Sequence, residues 1–153
     1  MIYIFDTSSL SHLQHFYRGV FTSLWDGLDN MVADQRLIST REVSRELENA
    51  SLSIDVVEWT KSNKQIFTTP SAEELLFVAE IFKVKHFQAL IGEKQRLKGT
   101  PVADPFVIAC ARRYGGTVVT EERLKPNAAK IPNVCAHFKI GCMVQAESSF
   151  VRR

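Results

Sequence analysis

Short apolar runs in this chain alternate with longer segments in which apolar residues recur every three or four positions. The short runs predict buried strands at about residues 2–5, 37–38, 66–68, 117–120 and 138–144. The longer segments predict helices at about residues 8–17, 20–34, 39–50, 53–61, 71–83, 86–95 and 104–114. Strands that alternate with helices favour an α/β fold built on a parallel sheet. We expect a single domain at residues 1–147 and a polar C-terminal tail at 148–153.

Helix start and stop signals refine this pattern. Ser39-Thr40-Arg41-Glu42 matches a capping box, which predicts that Glu42 is committed to the helix start. Asp104 precedes Pro105 and suits an N-cap, and Gly115-Gly116 suits the end of the same helix. Residues 96–103 are predicted to form an exposed loop. A further loop is predicted after residue 120, through Pro126 and Pro132.

Composition places the chain in the soluble globular class. Its 153 residues are 45% hydrophobic and 24% charged, which is ordinary for one compact domain. No stretch approaches the roughly 20 apolar residues of a membrane span. The amino terminus lacks the basic region and apolar core of a signal peptide. The sequence therefore predicts a cytoplasmic protein with no membrane partner.

Charge is distributed unevenly along the chain. Residues 1–80 carry 6 Lys+Arg against 12 Asp+Glu, whereas residues 81–153 carry 13 against 5. The asymmetry fits either an anionic polymer bound on a basic side or two solvated faces. Five basic residues flank the acids of the second half and are candidates for binding RNA phosphates: Lys94, Arg96, Lys98, Arg123 and Lys125.

Three cysteines, at positions 110, 135 and 142, are widely spaced and form no CxxC motif. Their number and spacing predict neither a disulfide framework nor a zinc site. Cys110 stands in an apolar helical segment, where it is predicted to be a small buried residue.

Acidic residues stand where buried strands end. Asp6 directly follows the first strand, and Glu121-Glu122 follow the strand at 117–120. Ligands of open α/β sheets bind at the carboxyl ends of parallel strands. Asp104 opens a helix, and Glu46 lies beside the buried stripe of its own helix. A structural role stays open for each acid, since aspartate caps helices and most helix glutamates are solvated.

Carboxylates gathered at one edge of a sheet repel each other unless a cation neutralises them. Hard divalent cations such as Mg²⁺ prefer oxygen ligands, so the pattern predicts an acidic metal site. Because Glu121 and Glu122 are neighbours, at most one is expected to reach a common centre. The hydroxyl of Thr120 is placed to orient this segment by hydrogen bonding.

Four segments resemble those of the PIN-domain nucleases in acid order, spacing and context: IYIFDTSSL, ISTREVSREL, ADPFVIACA and VVTEE. The likeness is closer still to a small, poorly characterised PIN-like bacterial family. The segments shared with that family are HFYRGVFTSLWDGL, ADPFVIA and IPNVCAHFKIGCM. The resemblance covers nearly the whole chain.

The resemblance implies a three-layer fold, a central parallel sheet with helices on both faces, and a Mg²⁺ or Mn²⁺ site at the carboxyl edge. The residues at the matching catalytic and metal-binding positions are Asp6, Glu46, Asp104 and Glu122, with Glu121 as the alternative to Glu122. Ser8 and Thr120 occupy supporting positions. Most PIN domains carry aspartate at the fourth position, where this chain has glutamate.

The implied activity is metal-dependent endoribonuclease cleavage of RNA, single-stranded or structured, by activated water. Many bacterial PIN proteins are toxins of the VapC type, so the resemblance also implies a cognate antitoxin. A homodimer is a further candidate assembly. The alternative is a catalytically inactive PIN-fold module that binds RNA or protein. We expect an aromatic stretch to pack in the core, although it could also supply an interface for a dimer mate or an antitoxin. Its residues are Phe16, Tyr17, Phe21, Leu24 and Trp25.

Overall fold

The computed structural model describes residues 1–91 and 102–145, and these contain a five-stranded parallel sheet. The strands are β1 (Tyr3–Phe5), β2 (Leu37–Thr40), β3 (Phe67–Thr68), β4 (Thr117–Thr120) and β5 (Gly141–Val144). Their order across the sheet is β3-β2-β1-β4-β5. The predicted α/β class with a parallel sheet is confirmed.

Helices cover both faces of the sheet and complete the three layers. The α-helices of the described ranges are α1 (Thr7–His12), α2 (Thr22–Ala33), α3 (Arg41–Glu48), α4 (Ile54–Ser62), α5 (Ala72–Lys83), α6 (Ala103–Tyr114) and α7 (Ile131–Phe138). Short 3₁₀ helices lie at Leu13–His15, Lys64–Ile66 and Lys85–Leu90. Within residues 1–91 and 102–145, no helix combines the length and apolar character that crossing a bilayer requires.

The core is formed where α6 packs against the central strands. Ile4 of β1 and Val118 of β4 are fully buried, as is Ile108 of α6. The central residues of both strands are apolar, as expected where helices cover both faces of a strand. Gly115 ends α6 with a positive φ of 60°, as the sequence predicted. Gly116 is required for packing, since a Cβ there would lie 2.5 Å from the Ile4 side chain.

The segment before β5 corrects the predicted loop and strand. Residues 131–138 form helix α7, and the strand starts at Gly141 rather than near Phe138. Pro132 stands in the first helical turn, where no amide hydrogen bond is lost. Ile131, Val134 and Cys135 are buried at helical spacing. The apolar period therefore outweighs the prolines that suggested a loop.

Both predicted helix caps at positions 39 and 104 are wrong. The N-cap of α3 is Thr40, whose Oγ1 accepts a hydrogen bond from the Val43 amide at 3.4 Å. Ser39 instead donates to the carbonyl of Phe5 at 2.6 Å, across to β1. Glu42 is 2% exposed, and its Oε1 pairs with Arg41 at 3.1 Å. Helix α6 starts at Ala103, so Asp104 lies inside the first turn and does not cap it.

Other helix boundaries also differ from the prediction. The first predicted helix ends at His12 and continues only as 3₁₀, and the second covers Thr22–Ala33. Of the helix predicted at 86–95, the described part is the 3₁₀ segment Lys85–Leu90. Residues 92–101 and 146–153 lie outside the described residues. Most of the predicted loop at 96–103 and the whole predicted tail fall in these two ranges.

The aromatic stretch divides between the core and the surface. Leu24 and Trp25 are buried, so the predicted core role is correct for these residues. The indole of Trp25 donates to the carbonyl of Phe16 at 2.8 Å, which holds the preceding turn against α2. Tyr17 is 66% exposed and Phe21 is 43% exposed. The core prediction is therefore wrong for Tyr17 and Phe21.

Candidate metal centre

The strand order reverses direction between β1 and β4. Strand β2 pairs with one side of β1, and β4 pairs with the opposite side of β1. Ligands of open α/β sheets bind outside the carboxyl ends of strands at such a reversal. Asp6 follows β1 and Glu122 follows β4 by two residues, so both predicted acids lie at this crevice.

Asp6 is buried and heavily hydrogen-bonded. Its carboxylate accepts from the Ser9 amide at 2.8 Å, from the Ser8 hydroxyl at 2.8 Å and from the Thr120 hydroxyl at 2.6 Å. Burial raises the pKa of Asp6, although hydrogen bonds from Thr120, Ser9 and Ser8 act in the opposite direction. The bond from Ser9 makes Asp6 the N-cap of α1, so its structural role is real and coexists with its place in the crevice.

Ser8 and Thr120 tie the two acidic loops together. The Ser8 hydroxyl accepts from the Glu121 amide at 3.0 Å and lies 3.2 Å from the Thr120 hydroxyl. Thr120 accepts from the Glu122 amide at 3.0 Å. Each hydroxyl therefore contacts Asp6 on one side and the backbone after β4 on the other. The network fixes the direction in which the Glu121-Glu122 pair leaves the strand.

Asp104 is the residue at which the predicted acids meet. The pKa of Asp104 is raised from 3.8 to about 8, and burial is the largest of the causes. The charges that raise it further belong to the three other predicted acids: Glu122, Asp6 and Glu46. Among the described residues, Asp104 has no hydrogen-bond donor, and its side chain is half-buried. A carboxylate so placed is costly when it is charged.

Glu46 connects three helices. Its Oε2 accepts from the hydroxyl of Thr7 in α1 at 2.5 Å, and its Oε1 accepts from the amide of Ala103 at 3.0 Å. The second bond satisfies a free amide at the start of α6, next to Asp104. Glu46 therefore caps α6 from a distant part of the chain and faces the crevice, whereas its neighbour Glu48 is exposed.

The two adjacent glutamates after β4 point to different places. The charge of Glu122 raises the pKa of Asp104. The Glu122 carboxylate also accepts a hydrogen bond at 2.9 Å from the amide of Ile131, at the start of α7. Glu121 instead lies 3.9 Å from the imidazole of His12. With the Gln145 amide correctly oriented, Glu121 also accepts a bond from it at 3.0 Å. Glu122 is thus the member of the pair nearer Asp104.

Lys130 is the site residue that sequence reasoning missed. The positive charge of Lys130 lowers the pKa of Asp104, whereas the three acids raise it. Lys130 therefore lies beside the crevice. Lys130 precedes the helix α7 that the sequence analysis assigned to a loop. Of the predicted RNA-binding residues, Arg123 and Lys125 are exposed near the same loop. The other three, Lys94, Arg96 and Lys98, lie outside the described residues.

The donor chemistry of this cluster fits a hard divalent cation, which prefers carboxylate oxygens. Within residues 1–91 and 102–145, however, no group of three or more His, Cys, Asp or Glu side chains stands close enough to hold a metal ion. Asp104 lacks a hydrogen-bond donor in the described part of the chain, and the charges of Glu122, Asp6 and Glu46 all raise its pKa. Any bound ion would therefore require side-chain movement toward Asp104.

Comparison with solved structures shows what class of fold this is. One similar chain belongs to the crystal structure of VapBC2 from Rickettsia felis bound to a DNA fragment from their promoter, with a TM-score of 0.51 and 13% identity. The alignment covers 94% of this chain and 98% of that chain. At this identity the likeness shows the fold alone, and the fold is PIN-like.

Sequence comparison identifies the family. The chain belongs to the family described as "Domain of unknown function (DUF4411)", whose profile matches residues 3–151. No curated protein matches the sequence. The predicted PIN-like fold is therefore confirmed, while activity, substrate and partner are not shown by either match.

Proposed function

We propose that this protein is a divalent-metal-dependent endoribonuclease. The residues that would hold Mg²⁺ or Mn²⁺ and serve the reaction are Asp6, Glu46, Asp104 and Glu122. The observation that carries the proposal is the state of Asp104, a desolvated carboxylate surrounded by three acids and without a hydrogen-bond donor among the described residues. Carboxylates gathered this closely disfavour the charged form of one another unless a cation neutralises them.

A structural role explains the other acids but not Asp104. Asp6, Glu46 and Glu122 each accept at least one backbone amide hydrogen bond. Asp104 neither caps α6 nor forms an ion pair with any described residue. A cation at the crevice would remove the repulsion that these charges impose on it. We infer that Asp104 is kept for binding a cation rather than for folding.

The residues of the chain divide the work of the site. When bound, a divalent cation supplies an activated water and stabilises charge on the phosphate. Asp104 must first lose its proton, because its pKa of about 8 keeps it largely neutral at pH 7. Ser8 and Thr120 hold Asp6 in one orientation, so this carboxylate is pre-positioned. In-line attack would leave a 5′-phosphate and a 3′-hydroxyl on the products.

Cleavage of RNA by the purified protein tests this proposal. We expect single-stranded RNA to be cut with Mg²⁺ or Mn²⁺ present and to stay intact in EDTA. The Asp6→Asn variant should be inactive, since it removes a charged oxygen from the crevice. A mass spectrum of the products should show 5′-phosphate ends. Metal-independent cleavage, or equal cleavage by folded Asp6→Asn, would contradict the proposal.

Lys130 is expected to bind an RNA phosphate beside the acids. Replacing it by alanine should weaken RNA binding and reduce the salt slope of the affinity by about 1. Fluorescence anisotropy in EDTA measures binding without cleavage. Lys83→Ala, at the exposed end of α5, is the matched control and should bind like wild type. Equal losses in the two variants would mean that Lys130 has no specific place on the RNA path.

Lys125→Ala provides a second variant on the same loop and is expected to weaken binding in the same way. Arg123 and the three basic residues outside the described ranges, Lys94, Arg96 and Lys98, remain proposed contacts to flanking phosphates. Such contacts bind the RNA backbone and carry no base specificity.

We further propose that the protein is the toxin of a toxin–antitoxin pair, with a cognate antitoxin as partner and a homodimer as its own assembly. The fold likeness to a chain of the VapBC2 structure supports this partner class. Expression of the protein alone should then stop bacterial growth, and expression of Asp6→Asn should not. Normal growth despite abundant, folded wild-type protein would remove the toxin role while leaving the nuclease proposal open.

One observation favours the alternative, an inactive PIN-fold module that binds RNA or protein. Three of the four acids already have hydrogen-bond partners, and the side chains of the described residues form no metal-binding group as they stand. The two functions differ in a single measurement. An inactive module would bind RNA without cutting it at any Mn²⁺ concentration, whereas the nuclease would both bind Mn²⁺ and cut.

A further inference from the structure

The fold brings together two cysteines that the sequence spacing did not pair. Cys135 is buried in α7, and Cys142 is half-buried in β5. Lys139 ends α7 in the left-handed conformation, with φ 58°, and the Ile140 amide donates to the Cys135 carbonyl at 2.9 Å. This tight reversal folds β5 back along α7. The thiols of Cys135 and Cys142 consequently share a hydrogen bond.

One thiol of this pair is accessible and the other lies behind it. Cys142 lines an open cavity of about 540 Å³, together with Arg123, Leu124 and Met143. Cys135 is fully buried and is absent from the lining. A small molecule in the cavity can therefore reach Cys142 first, while Cys135 is positioned to react only with Cys142. This is the arrangement of an attacking and a resolving thiol.

The directions of the pKa shifts indicate the same order of reaction, with Cys142 first and Cys135 second. The hydrogen bond between the thiols lowers the pKa of Cys142, against burial and the charges of Asp6 and Glu122. The same hydrogen bond, and then burial, raise the pKa of Cys135. The third cysteine, Cys110, is fully buried in α6, where burial and the nearby charge of Glu74 raise its pKa to about 12. Because Cys110 is fully buried and does not line the cavity, we expect it not to react with a small oxidant.

We propose that Cys142 and Cys135 form an oxidisable dithiol, a modification site that hydrogen peroxide converts to an intramolecular disulfide. The Cys142 thiolate attacks the peroxide, an S–O bond forms as the O–O bond breaks, and the departing hydroxide takes a proton to become water. Cys135 then attacks the sulfenic sulfur, so that the S–S bond forms, the S–O bond breaks and a second water leaves. The two thiols are oxidised by two electrons, and the peroxide is reduced to water.

The position of this pair connects it to the acidic crevice. The first amide of α7, that of Ile131, donates to Glu122. On β5, Val144 lies opposite Thr120 in the sheet register. A disulfide would tie together the two elements that carry these contacts. The dithiol itself does not depend on the proposed ribonuclease activity, so the two ideas can fail separately.

Peptide mapping of the peroxide-treated protein tests the proposal. The protein is treated with hydrogen peroxide, its remaining thiols are alkylated, and its peptides are analysed without reduction. We expect a Cys135–Cys142 disulfide peptide and an alkylated Cys110. When dithiothreitol is added before the alkylation, all three cysteines should be alkylated. In the Cys135→Ser variant, Cys142 should instead be trapped as a sulfenic acid by dimedone. Cys110→Ser is the matched control and should form the disulfide like wild type.

Three results would overturn the proposal. They are a disulfide between two chains in place of the intramolecular one, oxidation of Cys110 at the same rate as Cys142, and all three thiols still free after treatment that oxidises a low-molecular-weight thiol. Mapping of the wild-type protein decides among these outcomes even if the Cys135→Ser variant does not fold. A circular dichroism spectrum of each variant confirms that a comparison is between folded proteins.

Discussion

We expect the Asp104→Asn variant to cleave RNA at least ~100-fold more slowly than wild type and to be at least as stable. The loss is expected because a neutral amide binds a divalent cation more weakly than a carboxylate, so the remaining acids would hold a water-activating cation less accurately. Stability is preserved because Asp104 is not the cap of α6 and has no hydrogen bond to any described residue. Asparagine also removes the cost of keeping Asp104 protonated at pH 7 beside the three other acids, which should, if anything, stabilise the fold.

The matched control for this variant is Asp26→Asn, which makes the same chemical change at an exposed position of α2. Single-turnover cleavage rates and urea midpoints are measured for both variants. Asp26→Asn should match wild type in both measurements. Full activity of Asp104→Asn would show that this acid is not needed for catalysis, and a large loss of stability would show that its role is structural.

The metal-free protein should become less stable as pH rises from about 4 to about 8. The pKa of Asp104 is raised from 3.8 to about 8, so over this range the folded state holds a proton that the unfolded chain has released. Stability then falls with pH, because the folded state binds more protons. The raised pKa of Asp6 acts in the same direction. At ~1.4 kcal/mol for each unit of pKa, even a shift of about 1.5 units would cost ~2 kcal/mol, so we expect a loss of at least that size.

Urea unfolding in EDTA at several pH values measures this loss. The Asp104→Asn variant, which has no proton to release at this position, should show a flatter pH profile than wild type. Mn²⁺ should restore stability most effectively above pH 8, where it no longer competes with the proton. A wild-type profile that is flat, or that rises between pH 5 and 8, would contradict the electrostatic description of the crevice.

The sheet edge could be predicted because it depends on local patterns. The apolar runs identify β1 and β4, and Asp6 and Glu122 follow directly from where those runs end. The choice between Glu121 and Glu122 required the fold. It depends on Thr120, whose hydroxyl binds the Glu122 amide while Ser8 binds the Glu121 amide.

The wrong predictions share a physical cause, which is a contact between distant parts of the chain that overrides a local preference. Asp104 has the residue type and position of a cap, but Glu46 reaches the start of α6 from α3 and binds the Ala103 amide. Helix α7 is short and contains Pro132, so its burial against the core, rather than propensity, stabilises it. Lys130 and the Cys135–Cys142 pair were missed because their positions depend on that helix.

Anomalous scattering from crystals soaked in Mn²⁺ tests the central proposal most directly. We expect one or two anomalous peaks in the crevice beside Asp104, in contact with carboxylate oxygens of Asp6 or Glu122. The same soak of Asp104→Asn crystals should give a much weaker peak. A wild-type crystal with no peak at this crevice under saturating Mn²⁺, or with its peaks elsewhere on the surface, would contradict the assignment of the acids as a metal centre.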